Sequence, residues 1–126
     1  MDYTTYLNSA RNLDFVPDEA TADAMVKASL GIVASRLPDA AAREFTAALP
    51  QPLDHGTLRS HQERPTDIDV DVYLHDLSAQ FGISREEART AAATTLRLAK
   101  QDLGEARTAT VQQQLPADWA TFLEEA

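Results

Sequence analysis

Cysteine is absent from all 126 residues, so disulfides and thiolate-based zinc or redox centres are excluded. Glycine is scarce, with four residues scattered along the chain, and none of them forms the glycine-rich loop that cradles phosphates. No Asn-Gly or Asp-Gly pair sits between alternating apolar runs, so the usual hairpin signal is missing. Apolar runs last only a few residues, far short of the roughly 20 needed to span a bilayer. The opening "MDYTTYLNSARNLDF" has no basic start followed by an apolar stretch. That argues against a secretory leader and makes a cytoplasmic location the expectation.

Basic charge is also in short supply. Eleven Lys and Arg stand against 20 Asp and Glu, a net charge of −9. The deficit is spread along the chain: 4 basic and 7 acidic residues in 1–50, 2 and 3 in 51–68, 5 and 10 in 69–126. A nucleic-acid binder needs a basic stripe to displace counterions from phosphates. None is visible, and the expectation is no nucleic acid and no membrane as partner.

What remains is ordinary globular material. Forty-four per cent of the residues are hydrophobic and 25 % charged, which excludes a disordered chain. A chain of this length buries roughly two thirds of its unfolded surface, enough for one core.

The stretch "TDIDVDVYLHDL" (66–77) offers three readings. Asp67, Asp69 and Asp71 alternate with Ile68, Val70 and Val72, as in a half-buried strand. Carboxylates at spacing two also suggest a calcium loop. But a calcium loop starting at Asp67 needs glycine at position six and glutamate at position twelve, and Val72 and Ser78 stand there. The alternation ends at Tyr73, whereas Val70, Tyr73, Leu74, Leu77 and Phe81 mark one face of a helix. Asp69 is then the N-cap, with Asp71 in the first turn where the helix dipole favours it.

A repeat supports the helical reading. Asp2, Tyr6, Leu7, Val16 and Glu19 align with Asp69, Tyr73, Leu74, Ile83 and Glu86 at an offset of 67. Leu30, Leu37 and Leu49-Pro50 align with Leu96, Leu103 and Leu115-Pro116 at 66. The expected organisation is a first helical repeat over 1–50, a connector over 51–68 and a second repeat over 69–126, fused into one domain.

Within these units, Tyr3, Tyr6, Leu7 and Ala10 predict a first helix. Pro17 suits the first turn of a second. Met25, Val26, Leu30, Ile32, Val33 and Leu37 cover more than half its circumference and make it central. A third runs from about Pro38 to Leu49, with Ala41, Ala42, Phe45, Ala48 and Leu49 inward. In the second unit, Ser84 and Glu87 form a capping box, with Ile83 placed to staple against Ala88. Ala88, Ala91, Ala92, Thr95, Leu96, Ala99 and Leu103 form the inner face, and Gly104 ends that helix. A more polar helix from about Glu105 to Leu115 has only Val111 and Leu115 inward. Each third helix ends at Leu-Pro. Trp119, Phe122 and Leu123 then make another amphipathic turn or two, with Leu53 and Leu58 as weaker counterparts around Gly56. The fold class is all-α, a helical bundle built from two tandem three- to four-helix pseudo-repeats.

The openings "DYTTYL" and "DVDVYL", the middle "GISREEARTAAATTLRLAKQDL" and the ends "REFTAALP" and "VQQQLPADW" resemble a bacterial family, domain-of-unknown-function family 2267. The likeness spans nearly the whole chain and implies a helical fold. The family has no assigned activity, so the resemblance implies no catalytic residue. The chain departs from the pattern at "GEARTAT", which is threonine-rich.

Chemistry is sparse. His55, His61 and His75 lie near Asp54, Glu63, Asp67, Asp69, Asp71 and Asp76, types that ligate zinc. Their spacing matches no helical metal motif, and His75 and Asp76 should face solvent beside the inward Leu74 and Leu77. Ser60-His61 has no nucleophile elbow. Glu86-Glu87 and Glu124-Glu125 read as helix-start charge and a solvated end. Trp119 and Phe122 fit a core seal better than an exposed anchor. No catalytic residue, cofactor or metal ligand is assigned. The expected function is a non-catalytic module for protein–protein interaction or self-association, with small-ligand or metal binding at the connector or inter-repeat junction as the alternative.

Overall fold

The computed structural model describes residues 1–60 and 68–126. Among the described residues there are seven helices and no strand, an all-α fold. In chain order they are α1 (Tyr3–Arg11), α2 (Glu19–Ser35), α3 (Asp39–Ala47), α4 (His55–Ser60), α5 (Val70–Phe81), α6 (Arg85–Gln114) and α7 (Ala117–Glu125).

α2 is the axis. Residues 29–34 are buried without interruption, and Ala22, Met25 and Val26 join them. Six consecutive buried residues cannot share one stripe of a 3.6-residue helix, so α2 must be covered on most sides. α1, α3, α4 and α6 do this. Burial of a side chain such as Leu30 or Ile32 contributes about 1.5–3 kcal/mol. α6, the longest element, packs against α1, α2 and α3 as well as α5 and α7, so residues from both ends of the chain enter one core.

Local chemistry sets where the helices begin. Asp2, Asp18 and Asp69 accept the backbone N–H of Thr5, Thr21 and Val72 at 3.2, 2.8 and 2.8 Å. Each thereby satisfies a donor that has no partner within its helix. The capping box at α6 is complete: Glu87 N–H donates to Ser84 Oγ at 3.0 Å, and Ser84 N–H to Glu87 Oε1 at 2.9 Å. Pro17 is not in the first turn of α2, contrary to expectation. Asp18 captures Thr21 and becomes the N-cap, so the helix starts at Glu19 and Pro17 stands ahead of it. α3 and α7 follow Pro38 and Pro116 without a side-chain cap.

The ends are set by glycine and proline. Gly82 takes a left-handed conformation (φ 64°, ψ 37°) after α5, and Ile83 N–H closes the turn on the Ser78 carbonyl at 3.1 Å. Gly104 lies inside α6 at φ 79°, ψ 169°, breaking it into segments 85–103 and 105–114. The second segment buries Val111 alone, in keeping with its polar sequence. Leu49 and Leu115, each before a proline, are both buried. α4 and the turn before it are more firmly seated than their sequence suggests, since Leu58 and Leu53 are fully buried.

Replacing Leu96, which is fully buried, by Ala should destabilise the fold by about 2–5 kcal/mol. Ser84→Ala should cost about 1 kcal/mol. Urea denaturation followed by circular dichroism checks both, and equal losses for the two would contradict the packing described.

Candidate functional site

The two described histidines, His55 and His75, are not gathered into a site. His55 opens α4, half-buried, with Nε2 3.8 Å from Asp39 Oδ1. Neither of its ring nitrogens has a hydrogen-bond partner among the described residues. His75 is exposed on α5. His61 lies outside the described residues, as do Glu63 and Asp67. Among the described residues no three His, Asp or Glu side chains converge as metal ligands would. The Ser60-His61 pair also falls outside, because the Ser60 side chain and His61 are not described. Glu87 is consumed by the capping box, while Glu86, Glu124 and Glu125 face solvent.

Trp119 and Phe122 are core residues, both buried at the α5–α6–α7 junction. Trp119 lies between Tyr73, at 5.4 Å between ring centroids, and Phe122, edge-on at 6.1 Å. Its indole N–H donates to the Ile68 carbonyl at 3.0 Å, which meets the requirement of a buried indole. The Asp118 carboxylate accepts the first amide of α5, Val70 N–H, at 2.9 Å. At the other end of α7, Lys100 Nζ donates to the carbonyls of Leu123, Glu124 and Ala126 at 3.1, 3.1 and 2.9 Å. A cation on the last carbonyls of a helix also offsets its dipole. Beside this junction is a shallow depression of about 120 Å³ lined by Arg89, Ala93, Phe122, Glu125 and Ala126. The Arg89 guanidinium lies over the Phe122 ring, 5.7 Å from its centroid.

The strongest electrostatic perturbations belong to the tyrosines, none of which the sequence marks as special. Tyr6 Oη donates to Asp102 Oδ2 at 2.7 Å, and the Met1 amino group donates to Asp102 Oδ1 at 2.7 Å. Tyr3 Oη donates to Asp23, which also pairs with Lys27 at 3.0 Å. Burial, then the hydrogen-bonded carboxylate, pushes both phenols above their usual range. Tyr73 is buried and its phenol is also raised, by burial. Ser29 Oγ, facing it, offsets only part of this, and their geometry falls short of a hydrogen bond. These phenols are held neutral as donors to carboxylates or inside the core, the opposite of what a phenolate nucleophile or base requires.

The few cations are largely committed within the molecule. Lys27, Arg43 and Arg85 pair with Asp23, Asp39 and Asp71. Arg107 donates to the Leu103 and Asp102 carbonyls. Exposed carboxylates, by contrast, stand at helix starts and ends, among them Asp14, Asp18, Glu19, Glu44, Glu86, Glu105, Glu124 and Glu125. The Asp18 and Asp54 carboxyls are held below their usual range by the N–H or hydroxyl of Thr21 and Thr57, as ionised caps.

The raised tyrosines give a signed pH dependence. The folded state holds its phenolic protons more tightly than the unfolded chain, whose tyrosines ionise near 10. Stability is therefore undiminished below pH ~10 and falls as pH rises above it. Absorbance at 295 nm with parallel circular dichroism should show the three phenols ionising together with unfolding. Ionisation near pH ~10 in a protein that stays helical would contradict the burial described.

No curated protein and no solved structure matches the chain. A family model does match, over residues 3–122, that of the uncharacterised conserved proteins designated DUF2267. With nearly the whole chain covered, and with the helical architecture in place, the chain belongs to that family.

Proposed function

We propose that the protein is a non-catalytic helical module that works by binding another protein. The observation that carries this is the division of charge. Among the described residues, Lys27, Lys100 and Arg107 are held by Asp23 or by backbone carbonyls, Arg43 and Arg85 are each paired with an exposed carboxylate, and further exposed carboxylates stand near the helix ends. The exterior thus carries the excess of acid over base that the net charge of −9 implies. Such a surface repels a second acidic copy and favours a partner of basic surface. The helical units at 1–50 and 69–126, joined by 51–68, form part of the same proposal. In its support, Asp2 and Asp69 are N-caps 67 residues apart, and Asp18 and Ser84 are N-caps 66 residues apart.

A second reading, a small ligand or metal near the connector, is favoured by His55, whose ring nitrogens have no hydrogen-bond partner among the described residues and lie beside Asp39. Metal analysis of protein purified without chelator decides it. Stoichiometric metal that is lost on His55→Ala supports the second reading, and none removes it.

For the first reading, capture from lysate on immobilised protein should retrieve a basic protein whose binding weakens by about tenfold or more between low and molar salt, as the Debye length contracts. Salt-insensitive capture, or only acidic proteins retained, would reject a charge-guided partner.

A further inference from the structure

α6 is interrupted at one residue, Gly104, where the sequence places a helix end. Residues 85–103 and 105–114 are both helical, and "AKQDLGEARTA" around the break is built mainly from good helix formers. Only Gly104 departs, at φ 79°, ψ 169°, a region that residues with a Cβ essentially do not enter. A Cβ added there would meet nothing within 4 Å, so the restriction lies in the backbone and not in crowding. Arg107 spans the break. Its Nε donates to the Leu103 carbonyl at 2.8 Å and its Nη2 to the Asp102 carbonyl at 3.3 Å, covering acceptors near the point where the helix is interrupted.

The break decides where α7 lands. The contacts that seat α7 run to the Ile68 carbonyl, Val70 N–H, Tyr73, Arg89 and Lys100. All of them precede the hinge. If α6 ran straight through Gly104, its last ten residues would extend about 15 Å further along the axis. α7 would then be carried away from its own cradle, leaving that cradle open and Trp119, Phe122 and Leu123 uncovered. An identical cradle exists on a second copy of the chain.

We infer that Gly104 is a hinge between a closed monomer, in which α6 is broken and α7 folds back, and an open form, in which α6 is continuous and two copies exchange α7. Exchange of one element between identical copies regenerates the same contacts at little cost. It buries apolar surface in place of the acidic exterior, so it does not rest on the basic-partner reading. Arg107 fastens the closed form, and the positive φ at Gly104 is the conformational condition for it.

The absence of cysteine gives a direct test. Ala93 and Glu125 line the same depression, one on α6 before the hinge and the other on α7. With Ala93→Cys and Glu125→Cys, a disulfide forms within one chain in the closed form and between chains in the exchanged form. The protein is refolded at high concentration and oxidised. Non-reducing electrophoresis and light scattering then read the result. Adding Gly104→Ala, which bars the closed backbone, should raise the interchain product about tenfold or more over the parent pair. A Gly104→Ala protein that folds, stays monomeric and closes its disulfide within the chain overturns the inference. Should Gly104→Ala fail to fold, Arg107→Ala with Gly104 retained takes its place. More interchain product than the parent at equal concentration supports the hinge, and an unchanged yield overturns it. Loss of salt-sensitive partner capture would not alter either result, so the two readings fail separately.

Discussion

The fold depends on covering α2. A helix with six consecutive buried residues must be covered on most sides, so the rest of the chain must supply walls around it. α1 and α3 do so from the neighbouring sequence, α4 from just beyond them, and α6 from the far half. That requirement explains why α6 is long and small-faced. Ala88, Ala91, Ala92 and Ala99 are all buried on it, and small side chains let its backbone lie close to a helix whose own surface is filled by Met25, Leu30 and Ile32.

Polar groups then fix what apolar contact leaves loose. Burial is non-directional, and a bundle of similar helices could slide or rotate without much change in buried area. Tyr6 with Asp102, Tyr3 with Asp23, Trp119 with the Ile68 carbonyl and Lys100 with the end of α7 each join separate elements by atoms that meet in only one register. The same bonds take up Asp23, Asp102 and Lys100.

Much of this was legible in the sequence, and the divide follows range along the chain. The Asp69 cap, the Ser84–Glu87 box and the α6 inner face depend on neighbours three or four residues away, so spacing reveals them. The breadth of α2's apolar surface likewise foretold its central place. Pro17 misled because proline suits a first turn, yet the adjacent Asp18 offered an acceptor for Thr21 and set the start at Glu19. Gly82 went unread as a cap, although it follows the last apolar residue of α5. Leu53 and Leu58 looked weak because two leucines make no periodicity, and their burial comes from the helices they meet. The tyrosine–carboxylate bonds join residues as far apart as 6 and 102, and no local pattern encodes them. For the candidate site, spacing alone left the histidines unassigned, and the structure places His55 and His75 on different helices in different surroundings.

The chain has one tryptophan, and it sits where α7 meets the start of α5. Trp119 has aromatic neighbours on two sides and almost no exposure to water. An indole in such surroundings emits at shorter wavelength than one in solvent, and release of α7 would remove the rings and the Ile68 carbonyl in a single event. The molecule thus carries its own optical gauge of whether the final helix is docked, with no competing indole elsewhere to blur the signal.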